Sequence, residues 1–417
     1  MWSLHGERAG DTVAVRERSA WPSAIGFGVQ HLAVTLGAAI VVPAATGLPV
    51  GATLLFSGIG TLLFLVVTRN RVPAVMAPSF AFVAPLSASA HHDTAAKLGS
   101  VLAAGLILVV VGIAVKALGA RLLESLMPPI VAGSVIVLIG LSAAPSAAAV
   151  AQRQPMVAAL TAGAVLIAVA CTRGPIARLS VLAAMALGTM LAAAGGGIDR
   201  ARLDALIAAD WVGLPQFHTP SIRSSAVLLV VPVVLVLVAE TVGHVKAIAA
   251  TTGRNLDGSA GDALIAGGLG ASLAGAGGGA SPATSGANIG VMAVSRAFSI
   301  AACAAAGVFT IALAFSPKAV ALLACVPAGV VGAVALLLFG ALAMIGVRMW
   351  PHTGTTLTEP ANALVVAVAV MAGVGNLTVP LAGMQVPGVV WGSAAIVLGY
   401  PVVRRLTARR DARRATG

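Results

Sequence analysis

The chain has 417 residues, 59% of them hydrophobic and only 9% charged, with a formal net charge of +12. A water-soluble domain carries roughly 25% charged residues, so this composition excludes a soluble globular protein, and lipid is the solvent that suits the chain. At about 20 apolar residues per membrane helix, the length holds on the order of a dozen or more spans.

In chain order, a polar tail over 1–22 comes first, without a cleavable signal-peptide pattern. Fourteen hydrophobic segments follow, near 24–46, 52–68, 75–90, 98–118, 128–150, 155–172, 175–196, 222–248, 259–276, 282–297, 299–316, 319–347, 362–376 and 388–403. Segments 75–90 and 282–297 are short for a full span and rich in Pro, Ser and Gly. The mixed stretch 198–221, with Asp199, Arg200, Arg202, Asp204, Asp210 and Trp211, reads as a long interfacial loop, and 404–417 is a basic tail. Cys171, Cys303 and Cys325 sit alone in apolar stretches, so neither a structural zinc site nor a disulfide framework is expected.

The basic residues test this count. With the N-terminus inside, nineteen of the 25 Lys and Arg residues fall on the inner side, and Lys97, Arg153, Arg200, Arg202, Arg223 and Lys318 fall outside. The positive-inside rule gives this asymmetry for an even number of spans in a bacterial-type inner membrane with both ends cytoplasmic. The basic tail therefore reads as a topology determinant at anionic lipid, not as a nucleic-acid arm.

The two halves echo each other. Gly58-Ile-Gly60 in the second segment is matched 210 residues later by Gly268-Leu-Gly270 in the ninth, and Gln30-His31 by Glu240-Thr241. Each half then runs into its weak segment, at Pro78-Ser79-Phe80 and at Ser281-Pro282. Seven spans per repeat is odd, so the second copy must enter upside down. The expected fold is all-α and polytopic: two inverted repeats of seven, with interrupted half-helices in segments three and ten, an arrangement that places a transporter site near the midplane.

Of the thirteen acidic residues, Glu240 alone is embedded in a long apolar run, after 228–239. A carboxylate at a helix centre costs about 2.5–3.5 kcal/mol on insertion scales. Such an acid is expected to face a cavity, where it can accept a solute N–H or carry a proton. The plainer alternative ties it to a neighbouring backbone or to Lys246. His244 lies four residues on, one turn along the same face. Gln30 and His31 form a second polar pair, and an intramembrane His either pins two helices together or joins the site. Pro78 suits the start of a half-helix; Phe80 offers a ring to a flat solute, whereas Phe82 reads as core. The Gly-rich run 277–290 permits extended backbone and close approach to a solute. No Gly-Lys-Ser/Thr follows it, and neither HExxH nor a GxSxG elbow is present, so no enzyme, nucleotide, cofactor or metal is expected.

At these residues the chain resembles the nucleobase–ascorbate transporter family, particularly its bacterial uracil and xanthine permeases. The resemblance rests on Gln30-His31-Leu32, Gly58-Ile-Gly-Thr-Leu-Leu63, Ser79-Phe-Ala-Phe82, Ala239-Glu-Thr-Val-Gly-His244 and Asn288-Ile-Gly-Val-Met-Ala-Val-Ser-Arg296. It implies a core domain (23–120 and 222–317) moving against a gate domain (121–197 and 318–403), a homodimer, and proton-coupled uptake. It also implies that Glu240 accepts a nucleobase N–H, that His244 supports it directly or through water, that Phe80 adds backbone and ring contacts, and that Gly286 adds backbone contacts. Ala287 and Asn288 would border the ligand, with His31, Gln30 and Ser285 in the supporting polar network.

The chain departs from the family pattern at Ala287, where Glu is usual in uracil-like members and Gln in purine-like ones, and it is one residue shorter before Asn288. A lost acceptor costs about 1–3 kcal/mol if a polar solute group is left unpaired. The expectation is symport of a nucleobase with a proton, a uracil-like pyrimidine before a purine. The alternatives are an anion transporter or channel of the same inverted-repeat fold, or a non-transporting paralogue.

Overall fold

The computed structural model describes residues 3–4, 13–15, 17–18, 20–88, 93–119, 128–171, 175–350, 359–375, 377, 379–381, 384–386 and 388–415. Helix α1 (Trp21–Thr46) starts with Pro22 in its first turn and stops at Gly47, which adopts the left-handed conformation (φ 76°) that favours glycine. It is followed by α2 (Val50–Val67). Where segment three was expected, the chain enters as strand β1 (Met76–Pro78), makes a 3-10 turn (Phe80–Phe82) and leaves as the short helix α3 (Val83–Ala88). Asp93 caps α4 (Thr94–Leu118) by accepting the Ala96 N–H at 2.8 Å. Next come α5 (Pro129–Ala151), α6 (Pro155–Cys171) and α7 (Pro175–Ala194).

After α8 (Arg200–Ala208) the second half repeats the pattern: α9 (Ser224–Thr252), α10 (Ala260–Gly277), strand β2 (Pro282–Thr284), the half-helix α11 (Gly286–Ser295) and α12 (Ile300–Ala314). The chain closes with α13 (Pro317–Ala324), α14 (Ala328–Met349), α15 (Pro360–Gly375) and α16 (Gly388–Ala415). Among the described residues, α1, α2, α4, α5, α9, α14 and α16 are long and apolar enough to cross a membrane; α12 and α13, bent by 89° at a short break, bring the number to eight if taken as one span.

Three expectations are corrected. The single segment 319–347 is two helices, because Pro327 cannot donate the N–H that would continue α13 into α14. The interfacial loop 198–221 contains α8, whose first turn is capped by Asp199. The final helix does not stop at residue 403 but continues through the basic tail to Ala415.

The broken segments meet as an antiparallel pair, with Met76 opposite Thr284, Ala77 opposite Ala283 and Pro78 opposite Pro282. Ser79 N–H donates to Ser281 C=O at 2.9 Å, and Ser285 N–H to Val75 C=O at 3.0 Å. The ladder bonds thus fall on odd-numbered residues, and the two prolines face each other where a missing N–H forfeits nothing. Two hydroxyls of α2 take up further backbone donors: Thr61 accepts from Met76 N–H at 2.9 Å and Thr53 from Ala280 N–H at 3.0 Å. Irregular backbone at membrane depth needs such partners.

The repeated glycines mark close helix crossings. A Cβ on Gly58 of α2 would lie 2.6 Å from the Gly307 carbonyl of α12, and one on Gly268 of α10 would lie 2.7 Å from the Gly105 carbonyl of α4. Helices α1, α2, α4, α10 and α12 pack into one group, and α5, α6, α14, α15 and α16 into another.

Candidate functional site

A cavity of about 430 Å³ lies where these two groups face each other. One wall is polar: Glu240 and His244 from α9, Pro78 to Phe80 at the first break, and Ala283 to Ala287 at the second. The rest of the lining is largely aliphatic, with Val34 of α1, Val181 and Leu182 of α7 and Leu338, Leu342 and Ile345 of α14.

Glu240 and His244 share one face of α9 because they are four residues apart. Among the described residues, the Glu240 side chain makes no hydrogen bond or ion pair, and it lines the cavity. The alternative of a carboxylate held by Lys246 or a neighbouring backbone finds no bond among those residues. His244 is held in place: its Nδ1 lies 2.8 Å from the Thr284 hydroxyl. Its Nε2 is so near the second break that a Cβ on Gly286 would lie 2.8 Å away. Only glycine fits at position 286 without displacing the imidazole.

Ser285 caps α11 by accepting the Asn288 N–H at 3.3 Å. The first two helical N–H groups, of Gly286 and Ala287, have no acceptor within the helix, and both residues are exposed to the cavity. A helix N-terminus adds partial positive charge there. The Phe80 ring lines the same wall and packs edge-on against Phe339, with centroids 6.1 Å apart and planes at 86°. Phe82 is fully buried in the core. The site therefore sets a carboxylate acceptor, backbone donors without a partner among the described residues and an aromatic ring around one space.

Three expected residues stand apart from that space. Asn288 is fully buried; its Oδ1 lies 2.9 Å from His31 Nδ1, and its Nδ2 donates to the Thr35 hydroxyl at 3.1 Å. His31 is thus a pin between α1 and α11 behind the cavity wall. Gln30 is half-buried and does not line the cavity. Thr35 and Thr284 were missed in the sequence. Thr35 had a signal, lying four residues after His31 on the same face, whereas Thr284 was marked only by its place in the run 277–290.

Residues 22–382 match the xanthine/uracil permeases, described as the Permease family. The chain belongs to this family. It is a multi-pass membrane transporter and not an enzyme. RutG of Escherichia coli (strain K12) is 36% identical over 414 residues, spanning 94% of this chain and 92% of the relative. The uracil permease of Bacillus caldolyticus is 34% identical over 394 residues, with 90% of each chain covered. The uracil permease of Escherichia coli (strain K12) is 30% identical over 389 residues, again at 90% of each.

Solved structures share the fold at low identity. The transmembrane domain of a cyanobacterium bicarbonate transporter, BicA, superposes with a TM-score of 0.58 at 16% identity, covering 89% of this chain and 96% of that one. The murine Solute Carrier 26 family member A9 anion transporter, in its inward-facing state, gives 0.67 at 11% identity, covering 93% and 69%. The permease chain shares their architecture; nothing about cargo follows from that likeness.

Proposed function

We propose that this permease imports a uracil-like nucleobase together with a proton. The observation that carries the reading is the Glu240 carboxylate lining a cavity bordered by the N–H groups of Gly286 and Ala287, all three without a protein partner among the described residues. An acceptor set among donors complements the edge of a lactam ring, in which an N–H is flanked by carbonyl oxygens. The edge-on Phe80 offers the ring a stacking surface. The relatives named uracil permeases favour a pyrimidine over a purine. An anion would meet the Glu240 carboxylate in the same space, which disfavours the bicarbonate or chloride alternative.

In this reading the fourteen segments form two inverted repeats of seven. Gly60 and Gly270, equivalent at the repeat interval, support it by meeting where α2 passes α10: a Cβ on Gly270 would lie 3.6 Å from Gly60 Cα. The polar wall belongs to a core domain and the aliphatic residues of α7 and α14 to a gate domain. The core carries the base and proton past Leu338, Leu342 and Ile345 from one side of the membrane to the other. Both termini are cytoplasmic, in keeping with the basic residues on that side, and the protein works as a plasma-membrane homodimer.

Uptake of radiolabelled uracil, xanthine and uric acid into proteoliposomes, with and without an imposed pH gradient, tests this. Uracil accumulation that collapses with the gradient is expected. Absence of accumulation of any base, with bicarbonate or chloride flux in its place, would overturn it.

A further inference from the structure

Two segments away from the cavity are bonded alike. Before α1, Val13 N–H donates to Arg296 C=O at 2.9 Å, Phe298 N–H to Val13 C=O at 3.1 Å and Ile300 N–H to Val15 C=O at 3.3 Å. The Ser299 hydroxyl donates to Glu17 C=O at 2.8 Å. Before α9, 208 residues further on, Ser221 N–H donates to Ala95 C=O at 2.8 Å, and Arg223 pairs with Asp93 at 3.1 Å. Each clasp joins the residues leading into one half to the stretch following the broken segment of the other half.

The first clasp is also packed. Val15 is only 4% exposed and belongs to the apolar cluster that contains Phe64, Phe298 and Met292 of α11. The same stretch bonds the carbonyl of Arg296, which ends α11 at φ 52°. A non-glycine residue holds that left-handed conformation only when its surroundings fix it. The half-helix α11 has ten residues and is about 15 Å long. Its far end is the Gly286–Ala287 corner of the cavity, so a tilt at Arg296 is felt at the site.

We infer that the N-terminal stretch around Val13 and Val15 is a positioning clasp. It holds the end of α11 so that the other end presents its N–H groups correctly to the solute. The N-terminal residues are thus part of the transport machinery and not a disposable tail. The effect on affinity rests on the nucleobase reading above, whereas the clasp itself does not.

Hydrogen exchange and uptake on full-length variants test both parts. Val15→Asp puts a carboxylate into the apolar cluster; Val15→Ile keeps the packing. In Val15→Asp the Phe298 and Ile300 amides should exchange at least about ten-fold faster, with the amides inside α12 unchanged. Uracil KM should rise several-fold while the maximal rate changes much less, and Val15→Ile should behave as wild type in both assays. Unchanged protection at Phe298 and Ile300, or loss spread evenly over the whole chain, would overturn the clasp. Lost protection with unchanged KM would overturn its positioning role. If wild type carries no uracil, the transport proposal fails while the exchange data still decide the clasp. Should Val15→Asp not fold, Val13→Pro, which removes the N–H given to Arg296, is read in the same way.

Discussion

Replacing Glu240 with Gln separates charge from shape at the centre of the proposed site. The amide keeps the size of the carboxyl group and one carbonyl acceptor. No protein donor among the described residues is left without a partner, because Glu240 has none there. An ionised acid in the bilayer costs about 2.5–3.5 kcal/mol on insertion scales, so the variant should melt at or slightly above the wild-type temperature. Binding should suffer instead. A hydrogen bond to a charged group contributes about 1.5–3 kcal/mol, which corresponds to a Kd for uracil weaker by about 10- to 150-fold. Gln cannot carry a proton, so accumulation driven by a pH gradient should vanish. Calorimetric titration gives the affinity, thermal unfolding the stability, and proteoliposome uptake the coupling. Wild-type accumulation by Glu240→Gln would refute the reasoning, and a collapse in melting temperature would reveal a structural role for the acid.

Gly286→Ala places a Cβ 2.8 Å from His244 Nε2, so the imidazole must shift from its place against Thr284. Uracil affinity should fall by about two- to ten-fold, the worth of one neutral hydrogen bond, as read by ligand-induced thermal shift; an unchanged shift would clear this corner of a role in binding. Asn288→Ala removes the bonds to His31 and Thr35 from a fully buried position. It should lower unfolding stability by about 1–3 kcal/mol, and a wild-type denaturation curve would speak against the pin. Gly58→Leu drives α2 away from the Gly307 carbonyl of α12 and should abolish a monodisperse gel-filtration peak. Ala287→Glu adds an acceptor to the cavity wall and should shift competition for uptake towards bases with a second N–H on that edge.

The long helices were legible because a run of about 20 apolar residues matches the thickness of the bilayer core and is too greasy to face water. Glu240 was legible for the opposite reason, as one acid where an acid is costly. The three-residue strands at 76–78 and 282–284 were not, since so short a run carries no alternation to read; only their Pro, Ser and Gly content marked them as broken. Pro327 was in plain view, yet the apolar residues on both sides hid the break between α13 and α14. Asn288 was expected beside the ligand and lies behind the wall with His31, because their 257-residue separation gives no hint that they bond each other. The stretch 1–22 was read as a tail on its polarity. The alternation of Val13 and Val15 was the signal of a strand-like segment with one buried side.

The pairing of Met76–Pro78 with Pro282–Thr284 has a consequence for biosynthesis. The earlier strand leaves the ribosome roughly 200 residues before its mate, a wait of about 10–40 s at 5–20 residues per second. Throughout that interval its peptide groups lack their ladder partners in an environment without water, so nascent chains should be most vulnerable to quality-control proteases just before the second half is delivered.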